Sequence, residues 1–407
     1  MIKTWLKNSI DGYSHVFTNN EYLRLFILSM LTSLFAAMSA PIFPLWLVLE
    51  VGVSASSVFF ILAISGLGTS VINLYIGHLT DIIGKRKLIV EISFFLLSVR
   101  GFLYYFFPYV GVVIGASWLT QISNTSIIFA MLTEAIEHNN DENKQGLIIS
   151  TVRTAVSIGY IIGPWLGITI ANYSSYSLFF LIFGVANLFL LWFTKKFLKY
   201  SKIAENKKIK GSFPINRSNI GFVLGSSLLI ILLFSGSLTS GPLLALYVDE
   251  LSIAWAVAAV FGVGPIFEII VFPLVGVLSD KIGTIKTIIL GAIGEVLYFL
   301  LLTMVDNIYG ILLIQIFGTF YTAVLFTSVM IFVQDKIGGK QLGFSSSLYF
   351  SSMTVAGIVS NALLGSILKV WAYKIGFVLL AVMACAGLIV IISMLYFRKE
   401  PSFEIQN

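Results

Sequence analysis

The chain has 407 residues, 58% of them hydrophobic and 11% charged, with a mean hydropathy of +0.97 and a formal net charge of +6. Soluble domains carry about 25% charged residues, so large soluble domains are excluded and the composition is that of an integral membrane protein. The lone cysteine, Cys385, excludes an intrachain disulfide, a metal-cysteine site and a redox pair.

A hydrocarbon core needs about 20 apolar residues per helical crossing, and the apolar runs have that length. The first half holds runs at 25–48, 54–79, 88–107, 109–133, 146–171 and 175–197, and the second at 219–248, 254–279, 284–305, 308–333, 342–368 and 373–397. They predict an all-α integral membrane fold of twelve transmembrane helices in two pseudo-symmetric six-helix bundles. The expected boundaries are 1–198 for the N-terminal bundle, 199–218 for a basic linker and 219–407 for the C-terminal bundle. A β-barrel would show segments of about ten residues with alternating polarity, and that pattern is absent.

Residues 1–20 include Asp11, Ser14 and His15 with no long apolar core, so they do not read as a cleavable signal peptide and the first span is the expected targeting signal. That span ends Pro44-Leu45-Trp46-Leu47-Val48-Leu49-Glu50, and the seventh ends Pro242-Leu243-Leu244-Ala245-Leu246-Tyr247-Val248-Asp249. Each carries a proline and closes on an acid. Proline in a spanning helix frees a carbonyl and favours a kink, which serves either gating or packing.

After the second span comes Gly77-His78-Leu79-Thr80-Asp81-Ile82-Ile83-Gly84-Lys85-Arg86-Lys87, and after the eighth Gly276-Val277-Leu278-Ser279-Asp280-Lys281-Ile282-Gly283-Thr284-Ile285-Lys286. The two stretches share glycine, leucine, aspartate, isoleucine, glycine and lysine at aligned positions, which marks the halves as duplicates. Glycines permit a tight turn and close helix approach, the carboxylate caps a helix start or pairs with a base, and the cations hold the loop in the cytosol. A basic loop needed only for topology would not recur at the same place in both halves.

Span 3 contains Glu91 and, in its outer half, Arg100, whose long stem is expected to snorkel to the surface. Span 4 ends at Glu134, followed by Glu137, Asp141 and Glu142, a solvated acidic end. Span 5 carries Arg153 and then Gly159, Gly163, Pro164 and Gly167; its glycines at i, i+4 and i+8 form a smooth stripe for a neighbouring helix. Span 8 has Glu268 near its middle, and span 9 has Glu295, expected like Glu91 to pair with neighbouring loops.

Basic residues concentrate in short cytoplasmic loops. Lys3, Lys7, Arg24, Lys85 to Lys87, Lys144, Lys195 to Arg217, Lys281, Lys286, Lys336, Lys340, Arg398 and Lys399 fall on one side, against Lys369 and Lys374 on the other. Both termini are therefore expected in the cytosol, with the chain in the plasma membrane. The positive charge follows from this bias and implies no nucleic-acid partner.

The duplicated Gly-x-x-x-Asp-x-x-Gly-x-x-Lys loop resembles the signature between helices 2 and 3 of the major facilitator superfamily, which has a weaker copy between helices 8 and 9. The span 5 glycines resemble the Gly-Pro signature of helix 5 in major facilitator antiporters, with Ser150 and Ile168 where that signature has glycines. Further stretches resemble the bacterial sugar efflux transporter family: Asp81 to Leu88, Asn124 and Glu134, Arg153 to Pro164 with Ser157, Glu268 in Pro265-Ile266-Phe267-Glu268-Ile269, Gln334-Asp335, Ser345 to Tyr349, and Trp371-Ala372-Tyr373. The sequence departs from that family at Glu91, Arg100, Trp165 and Glu295.

The resemblance implies alternating access by two bundles and export of sugars or their derivatives driven by proton entry. It implies a cavity lined mainly by helices 1, 4, 7 and 10, with Asn73, Gln121, Asn124, Gln315, Tyr321 and Asn361 as polar liners and Tyr160 and Tyr349 among aromatics able to stack on a sugar. Amides and hydroxyls suit sugar hydroxyls because they donate and accept hydrogen bonds. Helices 5 and 8 pack together in this superfamily, so Glu268 is the expected proton-coupling acid, modulated by Arg153; ionisable residues in a bilayer are costly and mark function. The expected gating set is Gly77, Asp81, Gly84, Lys85, Arg86, Gly159, Gly163, Pro164, Asp280 and Gly283.

His15, His78 and His138 have no metal-site spacing, and neither a Gly-x-Ser-x-Gly nor a P-loop pattern occurs. No enzyme activity, metal or cofactor is implied; the partners are a small-molecule substrate, protons and the lipid bilayer, with a monomer expected. A multidrug exporter using proton exchange and a transporter-like receptor or sensor are the other readings.

Overall fold

The computed structural model describes residues 18, 20–68, 86–120, 145–197, 220–251, 253, 255–334 and 342–396. Asn73, Gly77, Asp81, Gly84, Lys85, Gln121, Asn124, Glu134 and the linker lie outside the described residues; Arg86 and Arg153 are described in backbone only. The helices are α1 (Asn20–Leu49), α2 (Ala55–Gly68), α3 (Arg86–Phe106), α4 (Val110–Thr120), α5 (Gln145–Tyr173) and α6 (Tyr176–Phe197). Then come α7 (Ile220–Asp249), α8 (Ala256–Ile282), α9 (Thr284–Met304), α10 (Ile308–Val333), α11 (Leu342–Ile367) and α12 (Tyr373–Tyr396). Among the described residues nine helices are long and apolar enough to cross a membrane.

Among the described residues each apolar run holds one helix, described over residues 55–68 of the run 54–79 and 110–120 of the run 109–133. Pro41 and Pro44 in α1, Pro164 in α5 and Pro242 in α7 all lie inside unbroken helices, as proline in a spanning helix can when neighbours re-satisfy the freed groups. The chain forms two compact units: residues 1–209 with 241–269, and 210–240 with 270–407.

In the first unit the glycine stripe of α5 lies against the backbone of α1. A Cβ at Gly159 would come within 2.6 Å of the Leu34 nitrogen and 2.7 Å of the Met30 carbonyl oxygen. One at Gly163 would lie 2.7 Å from both the Ala37 Cβ and the Leu34 carbonyl oxygen, and one at Gly167 2.8 Å from the Met38 carbonyl oxygen. Real side chains cannot occupy those positions, so the missing Cβ atoms set how closely α1 and α5 approach. Gly101 of α3 and Gly184 of α6 meet in the same way, with a Cβ on Gly101 reaching 2.6 Å from the Gly184 nitrogen.

An aromatic cluster fixes the far end of α1. The Trp46 ring centre is 4.6 Å from Phe180 and 5.3 Å from Tyr104, and Tyr104 is 5.2 Å from Phe180. Glu50, one residue beyond α1, accepts the Tyr176 and Ser177 amides at 2.6 and 2.8 Å, and the Ser177 hydroxyl also donates to it. A carboxylate on the first amides of a helix satisfies donors that have no intrahelical partner and faces the positive end of the dipole. The acid that closes α1 in the sequence is thus the cap of α6.

The second unit is built the same way around α9 and α10. Gly318 of α10 accommodates the Tyr298 ring, 2.6 Å from where a Cβ would stand, and Gly387 of α12 takes the Leu233 side chain. Within α10 the helix widens to a π turn at Leu325–Val329. Asn307 caps α10 by accepting the Gly310 amide at 2.8 Å, and Lys374 pairs with Asp306 beside it.

Replacing Gly163 with Ala forces α1 and α5 apart, since both atoms in the way belong to backbone or to a short side chain. The helix propensity gained is at most about 1 kcal/mol, against about 1–3 kcal/mol for overpacking, so the thermal unfolding midpoint of detergent-purified protein should fall. The control is Gly111→Ala in α4, where no described residue lies within 4 Å of an added Cβ; its midpoint should hold or rise.

Candidate functional site

In the first unit the structure brings together residues from α5 and α8. Glu268 is half-buried on α8, and Tyr160 of α5 is near enough to feel its charge. One and a half turns earlier on α8, Gly262 passes directly over Trp165: a Cβ there would stand 2.7 Å from the indole nitrogen and 3.3 Å from the Ile161 carbonyl oxygen. Glycine at 262 therefore allows the backbone of α8 to ride on an indole. Tyr160 and Trp165 keep 40% and 43% of their surfaces exposed.

Chemically this is an acid near one partly open aromatic side chain, Tyr160, with a second, Trp165, against an earlier turn of the same helix. The acid accepts hydrogen bonds when ionised and gives one when protonated, while a ring face suits the apolar face of a cyclic polyol. Trp165 was a departure from the resembled family, and its contact was not legible in the sequence. Gly262 was the available signal, but a glycine in an apolar run does not announce which ring it accommodates.

The second-half residues are engaged in separate bonds. Gln315 donates from Nε2 to the Tyr298 hydroxyl at 3.0 Å, and the buried Tyr321 ring lies 5.0 Å from the Tyr298 ring. Asn361 is buried and donates to the Gly357 carbonyl at 2.7 Å, leaving its Oδ1 with no hydrogen-bond partner among the described residues. On α11, Tyr349 donates to the Leu325 carbonyl at 3.2 Å, where the π turn of α10 begins. A π turn displaces the normal helical ladder, and the phenol supplies a donor from the next helix.

The second copy of the duplicated loop is described in full. Asp280 is exposed near the end of α8, and Gly283 joins α8 to α9 with φ of 89°, a left-handed conformation that glycine adopts without steric cost. Its amide closes onto the Ser279 carbonyl at 3.0 Å. Among the described residues nothing lies within 4 Å of a Cβ position on Gly276. Gly159 and Gly163 lie on the α1-facing stripe of α5, and Pro164, the next residue, is buried.

Two sequence expectations are corrected. Arg100 does not snorkel: its guanidinium sits over the Phe183 ring at 5.3 Å and the Tyr104 ring at 5.9 Å and donates to Thr120 at 3.2 Å. Cation–π contact and a hydroxyl acceptor within reach replace the trip to water. Glu295 does not pair with a loop; it is wholly buried among α7, α9 and α10.

A polytopic bundle with paired close-packed helices, an acid in mid-span and a duplicated interhelix loop defines a multi-pass membrane transporter. The chain belongs to the Major Facilitator Superfamily, whose sequence pattern matches residues 25–294 and 226–406. It is accordingly a secondary transporter of small molecules and not an enzyme. Its relatives include sugar efflux transporter A of Dickeya chrysanthemi, 24% identical over 89% of this chain and 92% of that one. They also include sugar efflux transporter A of Escherichia coli K12, 22% identical over 91% and 95%, and sugar efflux transporter B of Salmonella typhimurium, 22% identical over 88% and 92%. The nucleoside transporter NupG has a similar fold, with a TM-score of 0.75 at 14% identity covering 93% of this chain and 100% of that one. A variant of the peptide transporter POT crystallised with sulfate gives 0.73 at 14% identity, covering 92% and 93%.

Removing the phenol in Tyr349→Phe leaves the Leu325 carbonyl short of a donor at the π turn. The expected cost is about 0.5–1.5 kcal/mol, read as a lower thermal midpoint, with hydrogen exchange rising at residues 325–329 before the rest of α10. Uniform exchange along α10 would mean that the hydroxyl does not hold the turn.

Proposed function

We propose that this transporter works by alternating access and exports sugars or related small polar compounds in exchange for protons. Its moving parts are the six-helix bundles 1–198 and 219–407, joined by the linker 199–218, in the plasma membrane with both termini cytosolic. The observation that carries the reading is Glu268 beside Tyr160, one and a half turns from the Trp165–Gly262 contact. Near full-length similarity to sugar efflux transporters from three bacteria supports the substrate class.

In this reading Glu268 binds a proton from outside and releases it inside, with Arg153 favouring its ionised form by charge. Sugar and proton compete: the ionised carboxylate accepts from sugar hydroxyls, and protonation weakens that hold. Asn73, Gln121, Asn124, Tyr160, Gln315, Tyr321, Tyr349 and Asn361 contribute polar and aromatic contacts to the substrate. The loop residues Gly77, Asp81, Gly84, Lys85, Arg86, Asp280 and Gly283 and the α5 residues Gly159, Gly163 and Pro164 control the rocking of a monomeric unit.

The test is counterflow of labelled lactose and labelled glucose in proteoliposomes, with and without an imposed pH gradient, for the unmodified chain and Glu268→Gln. Gradient-driven sugar movement should vanish in the variant while sugar-for-sugar exchange persists. Movement of neither sugar under any gradient rejects the substrate class and directs the search to lipophilic cations; gradient-driven movement that survives in the variant removes Glu268 from coupling.

A further inference from the structure

Glu295 is a second acid that the exchange reading does not use. Its exposure is 0%, and neither carboxyl oxygen has a hydrogen-bond partner among the described residues. The carboxyl sits in a notch: the position a Cβ of Gly236 on α7 would take is occupied by Oε1 and by the Phe299 ring. Any residue but glycine at 236 would have to displace the acid.

No cation faces it. From α10 the facing group is Tyr321, which is within electrostatic reach of Glu295 and in hydrogen-bonding reach of Ser240 on α7; on α9 itself it is Tyr298. The nearest basic residue on α9, Lys286, is two and a half turns away. The titratable groups of α7, Tyr247 and Asp249, lie at its far end, and α12, which packs along α9, offers Lys374, already paired with Asp306, and the exposed Cys385. An ionised carboxylate buried without donor or counter-charge costs several kcal/mol or more, so in this arrangement the group is carried with its proton.

The place on α7 matters as much as the burial. Gly236 and Ser240 belong to the second compact unit, whereas α7 from Gly241 onward, with Pro242, belongs to the first. The stretch of α7 that covers Glu295 therefore ends where the helix passes from one unit to the other. A helix that bends or slides there changes what covers the acid.

We propose that Glu295 is a proton-binding carboxyl distinct from Glu268, holding its proton while Gly236 lies against it and releasing it to water when α7 moves off. One O–H bond forms on a carboxyl oxygen and the same bond breaks, with water as donor and acceptor and no other reactant. The substituent that makes this possible is the hydrogen of Gly236, which leaves the acid room on α7 without leaving room for solvent.

The experiment is infrared spectroscopy of the full chain in liposomes in heavy water, with no substrate added. Near about pH 7 a protonated-carboxyl band should be present, absent in Glu295→Gln and retained in Glu268→Gln, and it should disappear reversibly as the pH is raised toward about 10. Gly236→Ala, whose methyl group displaces the Glu295 carboxyl and the edge of the Phe299 ring, should move both the frequency and the titration of that band. A spectrum unchanged by Glu295→Gln overturns the proposal, as does a band that persists at every pH until the protein unfolds. Should the glutamine variant not fold, an unshifted band in Gly236→Ala overturns it equally. Because no sugar is needed, failure here leaves the export reading intact, and failure of the sugar assay leaves this result standing.

Discussion

The rest of the structure depends on the absence of water from the hydrocarbon core. A polar group there has no solvent partner, so it must be satisfied by the helix that carries it or by the next helix. The first solution is common in this chain: Thr32, Ser33, Thr194 and Ser393 return their hydroxyls to the carbonyl four residues earlier, and Asn187 does so with its amide. Such bonds satisfy the donor locally and leave the helix free to pack by shape alone.

The second solution ties helices together. Trp46 donates to the Ser177 hydroxyl at 3.0 Å, Tyr104 shares a hydrogen with Ser117 at 2.8 Å, and Thr239 of α7 meets Ser360 of α11. Arg100 shows how far this goes, since a guanidinium within a span is held by two rings and a hydroxyl. Among the described residues Glu295 has neither solution, as do the buried hydroxyls of Ser93, Ser98, Ser226 and Ser328, and what singles it out is that its group is a carboxyl.

Close packing and polar satisfaction meet at the glycines. Without a hydrophobic driving force between helices in lipid, association rests on van der Waals contact and interhelical bonds, and both need close backbones. Gly159, Gly163 and Gly167 bring α5 onto α1, Gly101 and Gly184 bring α3 onto α6, and Gly236 and Gly262 admit an acid and an indole respectively. The same missing Cβ serves as a packing device in one place and as room for a functional group in another. In α8 and α7 those two uses fall beside Glu268 and Glu295.

The sequence by itself determined the helical class, the start of each described span to within a few residues, the repeated loop that marks the halves and the transporter family, because apolar run length and a repeated loop are local properties written along one dimension. It also identified the α5 stripe as a packing face, since i, i+4 spacing is intrinsic to a helix, and Glu268 as an acid in mid-span. Tertiary structure alone decided which helix meets that stripe, that Glu50 caps α6 from α1, that Arg100 is held by Phe183, Tyr104 and Thr120, and that Glu295 is buried against Gly236. Each of these joins residues far apart in the chain, and the partner is chosen by which surfaces come within reach when helices pack. An acid in an apolar run looks the same in sequence whether it faces lipid, a loop cation or a glycine notch; only the packing tells them apart.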